Sequence, residues 1–285
     1  MTPRRLALPD QVVGLVDVPP SDASDAPDAP GRLPLVLLHG GAVDHRMWGP
    51  QLEAFPERRV VAPDARGHGG SSDADAPYRL ADDVVALLDA LGVDRAVLAG
   101  VSMGGGTAVD VALEHPDRCA ALVVTGTGTS EPTFTDDWAV AAFADWKDAE
   151  TRGDPEAWIA AFAHFTPGPH RTRAEVDPVV DALVEAMARD TLGHLRLDEA
   201  GVPIPPTPPT PVTDTWERAR GIRSPVLVLN GALDGRDHLE NGRRLARVVP
   251  HGTYRELAGA AHYAGLEAPD GYVAAVRTFL AEHDL

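Results

Sequence analysis

Short, uninterrupted apolar runs set the rhythm of this chain. LPLVLLHGG (33–41), RRVVAPD (58–64), RAVLAG (95–100), CAALVVTG (119–126) and SPVLVLNG (224–231) each have strand length and stop at glycine or a charged turn residue. Runs of this kind suit strands buried on both faces of a sheet. QVVGLVDV (11–18) and GTYRELAG (252–259) read as further strands. Helical spacing appears between them. YRLADDVVALLDALG (78–92) stops at a glycine and GGGTAVDVALEHP (104–116) at a proline; further helices fall around 238–248 and through YVAAVRTFLAEH. Strands alternating with helices predict a mostly parallel central sheet flanked by helices, an α/β fold.

The rhythm breaks between 127 and 222. DDWAVAAFADWKDAETRG, DPEAWIAAFAHF and AEVDPVVDALVEAMARDTLGHL carry helical patterns, with no buried strand of comparable strength among them. The chain therefore divides into an α/β core, 1–126 with 223–285, and a helical insertion, 127–222. PPSDASDAPDAPGR (19–32) reads as a solvated loop and GVPIPPTPPTPV (201–212) as an extended connector.

Composition narrows the function classes. The 285 residues include enough apolar material (44%) for a large core. A formal charge of −18 without a basic patch argues against nucleic acid and anionic membranes as partners. Cys119 is the only cysteine, so no intrachain disulfide forms. Its apolar setting, DRCAALVV, predicts a buried, inert thiol. MTPRRLALPDQ has two arginines with no apolar segment behind them of signal-peptide length. The expectation is a soluble, cytoplasmic monomer or homodimer. No cluster of Arg or Lys suits a phosphate or a coenzyme; no cofactor is expected, and no metal.

The chemistry gathers at strand ends. AGVSMGGGTA (99–108) sets Ser102 between Gly100 and Gly104, between a strand and a helix. G-x-S-x-G suits a nucleophilic serine on a strand-to-helix turn; the competing reading is a serine that caps the helix. Two further polar residues follow predicted strands. Asp234 lies in NGALDGRD and His262 in AGAAHYAGLEAP. Loops after parallel strands share the carboxyl edge of the sheet, so Ser102, Asp234 and His262 can converge. Asp237 also follows the 225–230 strand, but its place at a helix start gives it a sufficient role as an N-cap or first-turn acid.

LLHGG, DARGHGGSS, GVSMGG, NGALD and AAHYAGLEAP occur in this order. Together they resemble the α/β-hydrolase superfamily over essentially the whole chain. The resemblance implies a Ser102–His262–Asp234 triad and a helical cap over residues 127–222. It further implies an oxyanion hole from the backbone N–H groups of Gly41 and Met103, with Asp64, Arg66 and His68 bracing a turn. Haloalkane dehalogenases and epoxide hydrolases of this fold attack with a carboxylate where this chain has Ser102. Ser102 fits acyl transfer instead. Cofactor-free haloperoxidases resemble SMGGG but carry Trp where this chain has Gly41. Hydroxynitrile lyases add a cap lysine; Lys147, in DWKDAE, reads as a solvated helix face. Receptors of this fold can keep a full triad. The expected activity is a capped serine esterase or lactonase acting on a neutral, largely apolar ester or lactone. Perhydrolase, lyase and ligand-binding receptor functions are the alternatives. Trp138, Phe143, Trp158 and Phe162 of the insertion, with Tyr263, are the candidate pocket wall.

Overall fold

In the computed structural model, which describes residues 2–21, 32–197, 199 and 203–285, the apolar runs assemble into one eight-stranded sheet. Most of the 19–32 loop lies outside the described residues. The strands are β1 (Arg4–Ala7), β2 (Val12–Val18), β3 (Leu35–Leu38), β4 (Val60–Pro63), β5 (Ala96–Val101) and β6 (Cys119–Thr125). A separate ribbon, β7 (Arg196–Leu197) and β8 (Pro203–Ile204), precedes β9 (Val226–Gly231) and β10 (Gly252–Leu257). In space the order is β1-β2-β4-β3-β5-β6-β9-β10. β2 runs antiparallel to both its neighbours, and every pairing from β4 to β10 is parallel.

The strand period decides which core each side chain joins. Leu35 and Leu37 of β3 enter one apolar cluster; Val36 and Leu38 enter the other. The sheet thus separates two cores, as a parallel sheet covered on both faces must. α2 (Leu80–Ala90) and α3 (Met103–Glu114) cover one face, with α8 (Arg236–Val248). The other face receives α1 (Gly49–Leu52) and α10 (Pro269–Glu282), together with Ile159, Phe162 and Val184 of the insertion.

The insertion carries α4 (Asp137–Arg152), α5 (Pro155–Ala163) and α6 (Pro178–Leu192). An aspartate starts each one. The carboxylates of Asp136, Asp154 and Asp177 accept the N–H groups of Ala139, Ala157 and Val179. Proline at the first position of α5 and α6 removes a donor that would go unpaired. α7 (Thr215–Arg218) leads back to β9, and α9 (Ala264–Glu267) precedes α10. The proline-dense connector is tied down: Thr210 N–H donates to Tyr78 O at 2.7 Å. No described helix is long and apolar enough to cross a membrane.

Of the two roles expected of Asp237, it takes the first-turn one. Gly235 occupies the N-cap of α8, and Asp237 lies in the first turn. Its carboxylate reaches across to the start of the insertion, accepting the N–H groups of Thr135 and Asp136. Asp237 N–H in turn donates to Asp136 Oδ2 at 3.0 Å. Two helix starts are therefore cross-linked where the insertion leaves the core. Asp237→Ala strands two amides, that of Asp136 in a buried setting, and is expected to lower stability by about 1–3 kcal/mol. A urea melt checks this, and an unchanged midpoint would show that the cross-link holds nothing.

Candidate active site

Ser102 directly follows β5 and directly precedes α3. Its backbone has φ 52° and ψ −113°, a region that L-residues with a side chain adopt only under strain. The flanking glycines have a steric cause. A Cβ on Gly100 would lie 2.2 Å from Gly104 O, and one on Gly104 would lie 2.2 Å from Leu38 O. Helix and strand cross too closely for any side chain. Ser102 N–H donates to Thr125 O at 2.8 Å, and Ser102 O accepts Gly106 N–H at 2.9 Å. The hydroxyl makes no capping bond to α3, so helix capping does not explain the serine.

Asp234 and His262 follow the next parallel strands, β9 and β10. Asp234 is fully buried. Its Oδ2 accepts His262 Nδ1–H at 2.9 Å, and its Oδ1 accepts Gly235 N–H at 2.7 Å. Burial alone would raise this carboxyl's pKa. The two neighbouring imidazoles and both hydrogen bonds outweigh burial and hold it below the ordinary value. An ionised Asp234 keeps the proton on His262 Nδ1 and leaves Nε2 as an acceptor. The His262 loop is clamped from two sides. Ala261 N–H donates to Glu267 Oε1 at 2.9 Å, and Arg171 of the insertion holds Glu267 at 2.5 Å.

The loop after β3 is braced by two neutral histidines. His39 Nε2 accepts Ala65 N–H at 2.8 Å and His68 Nε2 accepts Ala42 N–H at 3.2 Å. A nitrogen that accepts an amide proton cannot hold one of its own. Burial agrees, lowering both rings and taking His68 to about 4. Asp64 accepts the N–H groups of His45 and Gly70, while Arg66 pairs with Asp83 and Asp10. This stretch is structural support. Among the described residues, the amides of Gly41 and Met103 have no acceptor, and both residues face the cavity described next.

Ser102 and His262 share a cavity of about 420 Å³. Among the candidate wall residues, Phe143, Phe162 and Tyr263 line it. Trp138 and Trp158 do not. Trp138 packs edge-on against Phe165 at 5.7 Å, and Trp158 stacks on Phe162 at 5.9 Å, behind the wall. Phe134, Trp146 and Phe165 line the cavity in their place. Lys147 is exposed and paired with Glu150. Cys119 is buried, its thiol pushed up to about 12 by desolvation.

Sequence reading missed His238. Its ring lies 4.7 Å from that of His262, and its Nδ1 sits 3.6 Å from Asp234 Oδ1 with no hydrogen-bond partner. The usable signal was its spacing of four from Asp234, which brings i and i+4 side chains together at a helix start. Asp234, His238 and His262 place three possible metal ligands within 4.8 Å of one another, as do Asp44, His45 and Asp64. In the first group both carboxylate oxygens and His262 Nδ1 are already engaged with one another or with Gly235, while His238 Nδ1 has no partner among the described residues.

Comparison with known proteins agrees with this fold. A sequence profile described as the alpha/beta hydrolase fold matches residues 34–269. The chain belongs to the α/β-hydrolase fold family. It is 30% identical over 254 residues to 3-oxoadipate enol-lactonase 2 of Acinetobacter baylyi, covering 87% of this chain and 89% of that one. It is 28% identical over 272 residues to a 2-hydroxymuconate semialdehyde hydrolase of Pseudomonas putida, covering 88% of each. The crystal structure of the enol-lactonase from Burkholderia xenovorans LB400 aligns with a TM-score of 0.72 at 26% identity, covering 98% of this chain and all of that one.

The buried histidines make stability depend on acid. An unfolded histidine takes up its proton near 6.5, whereas burial delays protonation of His238 and His68 to about 4. Between those values the unfolded chain binds more protons, so stability falls as pH drops from 6.5 toward 4. His238→Phe, among the rings of Phe134, Phe143 and Phe165, removes one contributor. It is expected to reduce the loss by up to about 1.4 kcal/mol per pH unit in this window. Urea melts at several pH values check this; the same slope in both proteins would contradict a neutral buried ring.

Proposed function

We propose that this protein is a serine hydrolase that cleaves a neutral, largely apolar carboxylic ester or lactone through an acyl-enzyme. The observation that carries the reading is the buried Asp234–His262 pair, joined at 2.9 Å, beside a cavity shared with Ser102. Two enol-lactonases among the similar proteins point the same way.

In this reading His262 Nε2 takes the Ser102 proton as Oγ attacks the substrate carbonyl. The N–H groups of Gly41 and Met103 donate to the oxyanion. The tetrahedral intermediate collapses, its bond to the leaving oxygen breaks, and His262 protonates that oxygen. A water then repeats the sequence on the acyl group and frees Ser102. Asp234 stabilises the imidazolium formed in each half. Residues 127–222 serve as a lid, whose aromatic wall supplies the apolar binding surface.

Acyl esters of graded chain length, assayed beside a lactone panel, test the reading. Ser102→Ala is expected to lower kcat by about 10⁴–10⁶, because the triad acts as a unit. Asp234→Asn is expected to lower it by about 10⁴, since an amide favours the wrong imidazole tautomer. Asp237→Asn is expected to stay within a few-fold. Turnover retained in Ser102→Ala, or a larger loss in Asp237→Asn than in Asp234→Asn, would overturn these assignments.

A further inference from the structure

α3 forms one wall of the cavity, and its cavity-facing residues are Met103, Gly106, Thr107 and Asp110. Their spacing of three and four marks a single helix face, so the cavity runs along α3 away from Ser102. Asp110 lies eight residues beyond Ser102, on the order of 12 Å along the helix axis. It is more than nine-tenths buried, an unusual place for a carboxyl. Its Oδ1 accepts a hydrogen bond from Ser130 Oγ at 2.7 Å. Among the described residues its Oδ2 has no partner.

The neighbouring groups are committed elsewhere. Thr107 Oγ1 donates to Met103 O at 2.8 Å. Arg79 and Arg218 are both held by Glu114, one turn beyond Asp110. The cavity wall is largely apolar, with Leu80, Pro132, Pro209 and Val212 among its residues and Arg79 among its polar ones. A buried carboxyl with an open acceptor in such a setting gains from any donor brought to it. Burial raises its pKa to about 6, which leaves it mainly ionised at neutral pH.

We infer that Asp110 is a specificity-determining residue: it receives a hydrogen-bond donor, a hydroxyl or an ammonium group, carried by the substrate at the end remote from the reacting carbonyl. The inference deepens the acyl-transfer reading and rests on it. It narrows the substrate from a uniformly apolar ester or lactone to one with an apolar middle and a single polar end. The chain's charge of −18 favours the approach of a cation. A site built around such an acceptor discriminates against the analogue that lacks the donor.

Two measurements test it. The first is kcat/KM for matched esters ending in methyl, hydroxyl or ammonium, in wild type, Asp110→Asn and Asp110→Leu. Wild type is expected to prefer at least one donor-bearing ester by about tenfold or more. Asp110→Asn removes the charge while keeping the shape, and should lose any ammonium preference. Asp110→Leu should lose both preferences. The second is calorimetric titration with octylamine, octan-1-ol and methyl heptyl ether, which needs no turnover. The amine or the alcohol should bind wild type about tenfold more tightly than the ether, and Asp110→Leu should erase the difference. Equal affinities in wild type, or a preference that survives Asp110→Leu, would overturn the role of Asp110. If none of the esters turns over, the acyl-transfer reading fails, and the titrations still decide the subsite.

Discussion

The close crossing of β5 and α3 is the constraint on which the site depends. α3 leaves Gly100 of β5 no room for a Cβ, the end of β3 leaves Gly104 of α3 none, and Ser102 sits at positive φ between the two glycines. A non-glycine residue in this conformation costs on the order of 1–3 kcal/mol. The surroundings offset it. Gly104 through Ala112 are buried as one run of helix, and Ser102 hydrogen-bonds on both sides through its backbone. The turn sets Ser102 where α3 begins, on a cavity it shares with Gly41 and Met103, whose amides have no acceptor among the described residues. The same sheet delivers Asp234 and His262 from the ends of the adjacent parallel strands β9 and β10.

Buried charge is the second organising feature. Asp234 is tolerated without exposure because His262 and the Gly235 amide satisfy both its oxygens. At the root of the insertion the carboxylates of Asp237 and Asp136 each accept the other's backbone N–H. Glu267, bound to both Arg171 and Ala261, ties the insertion to the His262 loop. Each carboxylate thus works in pairs with backbone amides or arginine, which is what burial requires. Asp110 is the departure from that pattern, with one oxygen engaged and one open to the cavity side of α3.

The sequence carried the parts of this structure that rest on local pattern. Continuous apolar runs marked the parallel strands, because burial on both faces removes any alternation. Glycine spacing marked the Ser102 turn, because the steric demand is local. What stayed hidden depends on tertiary partners. β1 is a mostly exposed edge strand, formed only by pairing Arg4–Ala7 with Val12–Leu15, and RRLA has no strand signature of its own. The four-residue helices α1 and α9 are too short to show a period. Which ring faces the cavity depends on how α4 and α5 rotate against each other. Composition could nominate Trp138 and Trp158 but could not order them behind Phe165 and Phe162. His238 was visible only as a spacing from Asp234, and the proline-dense connector gave no hint that Pro209 to Val212 would line the cavity.

The central claim is that His262, held by Asp234, activates Ser102. Covalent labelling with a fluorophosphonate, followed by intact-mass and peptide mass spectrometry over time, tests it most directly. One adduct per chain is expected, on Ser102, with a labelling rate that falls by orders of magnitude in His262→Ala. Labelling at another residue, or an equal rate in His262→Ala, would contradict it.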